Sequence, residues 1–206
     1  MMLIGKKIGM TQLFEESGRV VPVSVVEAGP CPIVQVKTLA KEGYAAIQIG
    51  FDEAKESRMS KAEVGHTRKA NVTPRRILRE VRVADPSALK VGDTLDVKVF
   101  EGAKVVHVTG TSKGRGFQGT IRRHHFQRGR KTHGNKNYRE PGSVGASAYP
   151  SRTFPGKRMP GRMGGERSTT RNLTLVQIDT ENNLLFIKGS IPGANNGIVI
   201  VRTDAR

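Results

Sequence analysis

The sequence predicts a mainly β protein: a barrel built from both flanks of the chain, with a long, basic, Gly-rich extension inserted between two of its strands. Three observations point there. Short β-branched runs, separated by Gly, Pro and Asn, recur through residues 20–109 and again through 173–202. Helical periodicity is thin. Between the two sets of runs, residues 110–171 hold 15 Lys and Arg against 2 Asp and Glu, together with 12 of the chain's 24 Gly.

Val20 to Val26 opens the series of predicted strands, after a turn signal at Glu15-Glu16-Ser17-Gly18. Ile33 to Val36 follows, with Cys31 between Pro30 and Pro32 at its start, a small residue expected to pack inside. Tyr44 to Phe51 is next. Ser60-Lys61-Ala62-Glu63 has the pattern of a capping box, in which a Ser hydroxyl and a Glu carboxylate satisfy each other's backbone N–H groups, and it predicts a short helix. Ile77 to Val83 returns to strand, Pro86 to Leu89 suits a single turn, and Gly92-Asp93 precedes Thr94 to Phe100 and Val105 to Thr109. Beyond the basic segment, Leu173 to Asp179, Leu184 to Lys188 and Ile198 to Arg202 resume the pattern, with turns at Glu181-Asn182-Asn183 and Pro192 to Gly197. Many short strands at such spacing argue for a barrel or sandwich rather than a βαβ sheet. The predicted division is a globular barrel over 1–109 and 172–206 and an extension over 110–171.

Composition bounds the function. The 206 residues carry 35 Lys and Arg against 18 Asp and Glu, a net charge of +17 and a pI near 10.6. One cysteine excludes an internal disulfide and any multi-cysteine metal centre. Met1-Met2-Leu3-Ile4-Gly5-Lys6-Lys7 reaches charge too early for a signal peptide, and no apolar run is long enough for a membrane helix. The expectation is a soluble intracellular protein with a polyanion as partner, nucleic acid rather than membrane.

The basic segment carries the site. From Arg122 to Thr169 only Val144, Met159 and Met163 are aliphatic residues larger than Ala, too few to offset the entropy of ordering the chain. Such a stretch is a solvated linker, or it is ordered by what it binds; Arg spaced among Gly and aromatic residues favours binding. Lys113, Arg115, Arg122, Arg123, Arg128, Arg130, Lys131, Lys136, Arg139, Arg152, Lys157, Arg158, Arg162 and Arg167 can neutralise phosphates, and Gly lets the backbone approach them. His124, His125 and His133 suit base stacking or phosphate hydrogen bonds. They do not suit a metal, because adjacent histidines on an extended chain diverge and the surrounding Arg residues repel a cation. Phe117, Phe126, Tyr138, Tyr149 and Phe154 offer faces for unpaired bases, though Phe117 could equally anchor the segment to the barrel. Ser143, Val144, Gly145, Ala146 and Tyr149 fall in a stretch without Lys or Arg, and read as the tip of the extension. Gly114, Gly116 and Gly119 satisfy G-x-G-x-x-G, but the sequence that follows is Thr120-Ile121-Arg122-Arg123-His124-His125 and not the apolar helix a dinucleotide site needs. No catalytic arrangement, cofactor motif or small-molecule site is legible. A basic DNA-binding or nucleoid protein, and a nucleotide-dependent enzyme using the Gly-rich loop, are the rival readings.

Gly5-Lys6-Lys7-Ile8-Gly9-Met10-Thr11 resembles the opening of bacterial members of the family of the third protein of the large ribosomal subunit. Phe100 followed by Gly110-x-Ser112-x-Gly114-Arg115-Gly116-x-x-Gly119-x-x-x-Arg123 is similar to the family's central signature. His133-Gly134-Asn135, Pro141 to Gly145, Gly156 to Gly161, Met163 to Arg167 and Lys188 to Gly193 also fit, in order along nearly the whole chain. His107 stands where the pattern has Asp or Asn, which is expected to weaken one strand-end contact. The resemblance implies a structural protein, not an enzyme, with a barrel like those of translation factors near the subunit surface. It implies an extension threading through 23S rRNA towards the peptidyl-transferase centre, with the residues above as rRNA ligands. It further implies binding near the 3′ end of that RNA, a role early in subunit assembly, contacts with neighbouring large-subunit proteins, and a place in the cytoplasmic ribosome. Where some bacterial members carry a methylatable Gln, this chain has Ala146.

Overall fold

The strand that closes the barrel is one the sequence hides. In the computed structural model, which describes residues 1–203, Met2–Phe14 (β1) is a single long strand. Two Gly and two Lys dilute its apolar pattern, and no strand is predicted there. Gly5 is present because a Cβ at that position would lie 2.5 Å from the Glu27 carbonyl oxygen on the next strand. Lys7 is buried, and its Nζ donates to the carbonyls of Ile191 (3.0 Å) and Gly193 (3.2 Å).

The chain continues through Val20–Ala28 (β2), Cys31–Lys37 (β3), the single turn Leu39–Glu42 (α1), Ala46–Glu53 (β4) and the helix Lys61–Lys69 (α2). Arg75–Arg82 (β5), Thr94–Leu95 (β6) and Val105–Thr111 (β7) follow. After Phe117–Gln118 (β8), Thr120–His124 (α3) and Gly161–Arg162 (β9), the chain returns in Arg167–Asp179 (β10), Leu184–Lys188 (β11) and Ile198–Arg202 (β12). Two compact units result: Met1–Thr111 with the chain from Arg167 onward, and Ser112–Glu166. The predicted barrel region ends at 206, so its last three positions lie outside the described residues.

In the first unit six antiparallel strands form a closed barrel in the order β1-β12-β7-β10-β11-β2. Alternation puts Leu3, Val201, Val108 and Leu185 inside, each fully buried. The opposite face of β12 and β1, with Ile4, Ile198 and Ile200, turns outward, and a second sheet in the order β5-β4-β3-β6 covers it. Ile33, Ile47, Ile49 and Phe51 from that sheet join one continuous apolar cluster with the barrel. Cys31 packs there as expected. Its thiol donates to the Ile4 carbonyl (3.4 Å), and burial pushes its pKa up to about 11.

Three predicted elements need correction. Thr94 to Phe100 is strand only at Thr94–Leu95; Val97–Phe100 is a 3-10 turn. Val97 and Phe100 are both fully buried, and three-residue spacing brings both to the core only if the backbone coils. Strands β7 and β10 reach further into the basic stretch than predicted. β-branched residues carry the extension, and the hydroxyls of Thr109 and Thr169 share a hydrogen bond of 2.8 Å across it. His107, expected to weaken a strand-end contact, supports one instead: its Nδ1 accepts from the backbone N–H of Asn172 at 3.0 Å, beside the register shift in β10. An unprotonated imidazole nitrogen does there what a carboxylate or amide oxygen would do.

The capping box is present. Ser60 Oγ accepts from the Glu63 N–H, and Glu63 Oε2 accepts from the Ser60 N–H at 3.0 Å, which holds the Glu63 carboxyl below its ordinary pKa. Ser60→Ala is therefore expected to cost about 1 kcal/mol of folding stability, read as a lower denaturant midpoint at unchanged slope.

Candidate nucleic-acid interface

Ser112–Glu166 contains 13 Lys and Arg and only Glu140 and Glu166 as acids. Within it Thr120 is the single buried residue among those described. No apolar core holds this segment together; backbone hydrogen bonds do. The Ser112 N–H donates to the Glu166 carbonyl (2.9 Å), Arg115 N–H to Met163 (2.8 Å) and Met163 N–H to Gly116 (2.9 Å), so the outgoing and returning chains form a stem. Gly164 is required by that stem: its φ is +72°, and a Cβ would collide with the Lys113 carbonyl. β8 and β9 extend the pairing, with Phe117 opposite Arg162.

The Gly-rich motif opens the five-residue helix α3, which His125 ends in a left-handed conformation (φ 59°). That is no nucleotide cradle. Beyond it the chain turns back on itself between Gly129 and Tyr138, where the Gly129 N–H donates to the Tyr138 carbonyl (3.1 Å). Asn135 is the centre of this turn. Its Nδ2 donates to the Arg130 carbonyl (2.9 Å) and its Oδ1 accepts from the Asn137 N–H (3.1 Å). A side chain on Gly129 would strike the Asn137 carbonyl. Sequence reasoning passed over Gly129 and met Asn135 only as part of the His133-Gly134-Asn135 match, although the Asn- and Gly-rich run from His133 to Asn137 is turn chemistry that could have given Asn135 this role. Further on, Ser143 Oγ donates to the Gly145 carbonyl (3.2 Å) and Ser151 Oγ to that of Ala148, so the residues read as the tip form small self-bonded turns.

The predicted ligands divide by where they sit. Lys113 and Arg115 are exposed on the stem, and Arg122 is exposed on α3 with only Gln118 Oε1 near it (3.4 Å). His125, Arg128, Arg130, Lys131, His133, Lys136 and Arg139 are all exposed between α3 and Glu140; Arg152, Lys157, Arg158 and Arg162 are exposed on the return. Arg123 and His124 differ. Both are half-buried, and both bond the Met159 carbonyl, Arg123 Nη1 at 2.7 Å and His124 Nε2 at 3.0 Å, so they brace the stem. Arg167 begins β10 opposite Thr111 and belongs to the barrel unit. Ser143, Val144, Gly145, Ala146 and Tyr149 are exposed, Tyr149 at 88%. Phe117, on β8, is 77% exposed. Arg128 lies 6.0 Å from the Tyr138 ring centroid and Arg152 5.3 Å from that of Phe154, so guanidinium planes and aromatic faces sit side by side.

Among the described residues every ion pair lies in the barrel unit; none involves the 13 cations of Ser112–Glu166. No group of three or more His, Cys, Asp or Glu able to hold a metal occurs among them either, and no helix is long and apolar enough to cross a membrane. A small closed barrel carrying a coreless cationic segment with exposed aromatic rings has the charge and ring pattern expected of a protein that meets a polyanion. Residues 55–183 match the family model described as ribosomal protein L3. The large ribosomal subunit protein uL3 of Carboxydothermus hydrogenoformans is 52% identical over 200 residues, covering 97% of this chain and 95% of the relative. The proteins of the same name from Corynebacterium jeikeium (50% identity, 99% of this chain, 94% of the relative) and Bacillus mycoides (50%, 97% and 95%) are similar to the same extent. The chain belongs to the ribosomal protein L3 family, whose members are structural proteins of the ribosome and not enzymes.

Proposed function

We propose that the protein is a structural component of the large ribosomal subunit in the bacterial cytoplasm. It binds 23S rRNA near its 3′ end, acts early in subunit assembly, and adjoins other large-subunit proteins through its barrel. The observation that carries this reading is the set of 13 cations without an acidic partner among the described residues, on a segment with one buried residue. Such charge is stable beside a polyanion, where Lys and Arg displace condensed counterions and positive-φ glycines let the backbone close on phosphates. Exposed rings beside guanidinium planes suit unpaired bases. The names of the relatives support the large subunit as the setting.

The extension runs towards the peptidyl-transferase centre, with Ser143 to Tyr149 leading. Co-sedimentation tests the assignment: the protein stays with the large subunit through a moderate salt wash, whereas a nucleoid protein follows DNA. A crosslinking map of purified subunits identifies the RNA it touches. Bulky replacements of Ala146 or Tyr149 are expected to leave subunit yield near normal, because the phosphate-gripping residues are intact, while altering peptide-bond formation and the response to drugs bound at that centre. Normal activity for several such variants places the tip elsewhere.

A further inference from the structure

The arginines of β5 do not share one fate. Arg75 pairs with Glu53 (3.1 Å), Arg76 with Asp52 (3.5 Å), and Arg82 lies over the Tyr44 ring at 5.7 Å. Arg79 has no such partner among the described residues; its Nη1 donates to the neighbouring Leu78 carbonyl (2.8 Å). Strand alternation puts Arg79 on the same face as Ile77 and Val81, the face turned to the barrel's outer wall. There it lines a cleft of about 440 Å³ together with Arg167, which has no carboxylate partner among the described residues. Met2, Ile198 and Ile200 give the lining its apolar part, beside Thr109, Gly110 and Thr111. Glu80 also borders the cleft, but its carboxylate is taken by Lys37 Nζ (2.6 Å) and the Tyr44 hydroxyl (2.9 Å). The cleft that shares Ile198 with it offers a contrast: there Arg76 pairs with Asp52 (3.5 Å), and Glu27 stands opposite Lys6 in the β1–β2 register.

We propose that this cleft is a second RNA site, on the barrel itself and separate from the arm, and that it takes one unpaired nucleotide. Arg79 and Arg167 hold the phosphate, and the base or ribose lies on Met2, Ile198 and Ile200. A concave site lined by two cations without a carboxylate partner among the described residues and by apolar side chains suits a splayed nucleotide; a continuous duplex could not enter it. Thr111 and Arg167 are the residues through which the chain leaves and re-enters the barrel, so the cleft sits at the root of the RNA-binding segment. The inference rests on the RNA-binding reading above.

The test uses the full chain, a transcript of the 3′ portion of the large-subunit rRNA substituted with 4-thiouridine, and a salt titration of binding. Arg79 and Arg167 are exposed, so the double variant Arg79→Gln/Arg167→Gln should melt as the parent does. It is expected to lose about thirtyfold in affinity and to flatten the slope of log K against log salt by about 1.5, two phosphate contacts. The ultraviolet crosslink to the peptide bearing Ile198 to Arg202 is expected to disappear with it, and Lys at both positions should restore the slope. An unchanged slope in this variant, while Arg122→Ala/Arg128→Ala/Arg130→Ala flattens it, overturns the cleft and leaves the arm reading intact. Unchanged slopes in both variants overturn the RNA reading as well. Loss of binding to an Asp- and Glu-rich peptide, with RNA binding untouched, makes the occupant a protein segment and also overturns the proposal.

Discussion

Replacing Arg122, Arg128 and Arg130 together with Ala should weaken binding to large-subunit rRNA on the order of a hundredfold near 0.1 M salt, taking about 1 kcal/mol for each exposed charge-assisted contact. The same variant should flatten the salt slope by about 2 to 3, because each phosphate contact contributes about 0.7–0.9. These three side chains are exposed and have no acidic partner among the described residues, so the folded protein loses little when they go. Arg123→Ala should behave differently. Its guanidinium donates to the Met159 carbonyl at 2.7 Å, so removing it loosens the β8–β9 stem, seen as faster amide exchange there, with a slope change below that of any single exposed arginine. Filter-binding titrations at several salt concentrations separate the two behaviours. A slope untouched by the triple replacement means that these side chains face solvent on the assembled subunit.

Lys7→Met should lower the stability of the barrel by about 3 kcal/mol, the largest effect expected from any conservative change in β1. The methionine fits the buried volume but cannot donate, so the carbonyls of Ile191 and Gly193 lose a charged partner inside the protein. The backbone of Lys7 also holds the turn before β12, donating to Gly197 (2.9 Å) and accepting from Asn196 (2.7 Å). Side chain and backbone thus fix one loop, and its loosening frees the strand that seals the barrel. Urea unfolding at constant slope is the measurement; a shift under 1 kcal/mol would mean that water replaces the ammonium without penalty.

Much of this was legible from the residues. β-branched runs marked most of the barrel strands because half-buried strands need such side chains, and Ser60 with Glu63 marked α2 because the capping box is local chemistry. β1 was not legible. What makes Met2–Phe14 a strand is its two neighbours, β2 and β12, and the second begins almost 200 residues away. Gly5 and Lys7 look like breakers until the Glu27 carbonyl and the Pro192 loop stand beside them. Charge density pointed to the arm, since it needs no tertiary information. The division of labour within the arm, with Arg123 and His124 turned to Met159 and their neighbours turned out, depends on a return chain 35 residues further on and could not be read locally.

The pairing of β1 with β12, Met2 opposite Arg202, has a consequence for the order of events during synthesis. β1, made before the other described strands, waits for β12, the last of them, before its second edge is covered. Contacts this distant in sequence form slowly, because the whole intervening chain must be closed into a loop. The cationic arm is therefore made, and exposed to whatever polyanion is near, before the barrel that carries it can be sealed. A nascent chain halted before Ile198 presents a bare β1 edge and an open row of barrel carbonyls to other strands, the kind of edge that recruits wrong partners. Such a chain should be captured by chaperones or by nucleic acid, and release of β12 should be the step that makes it resistant to protease.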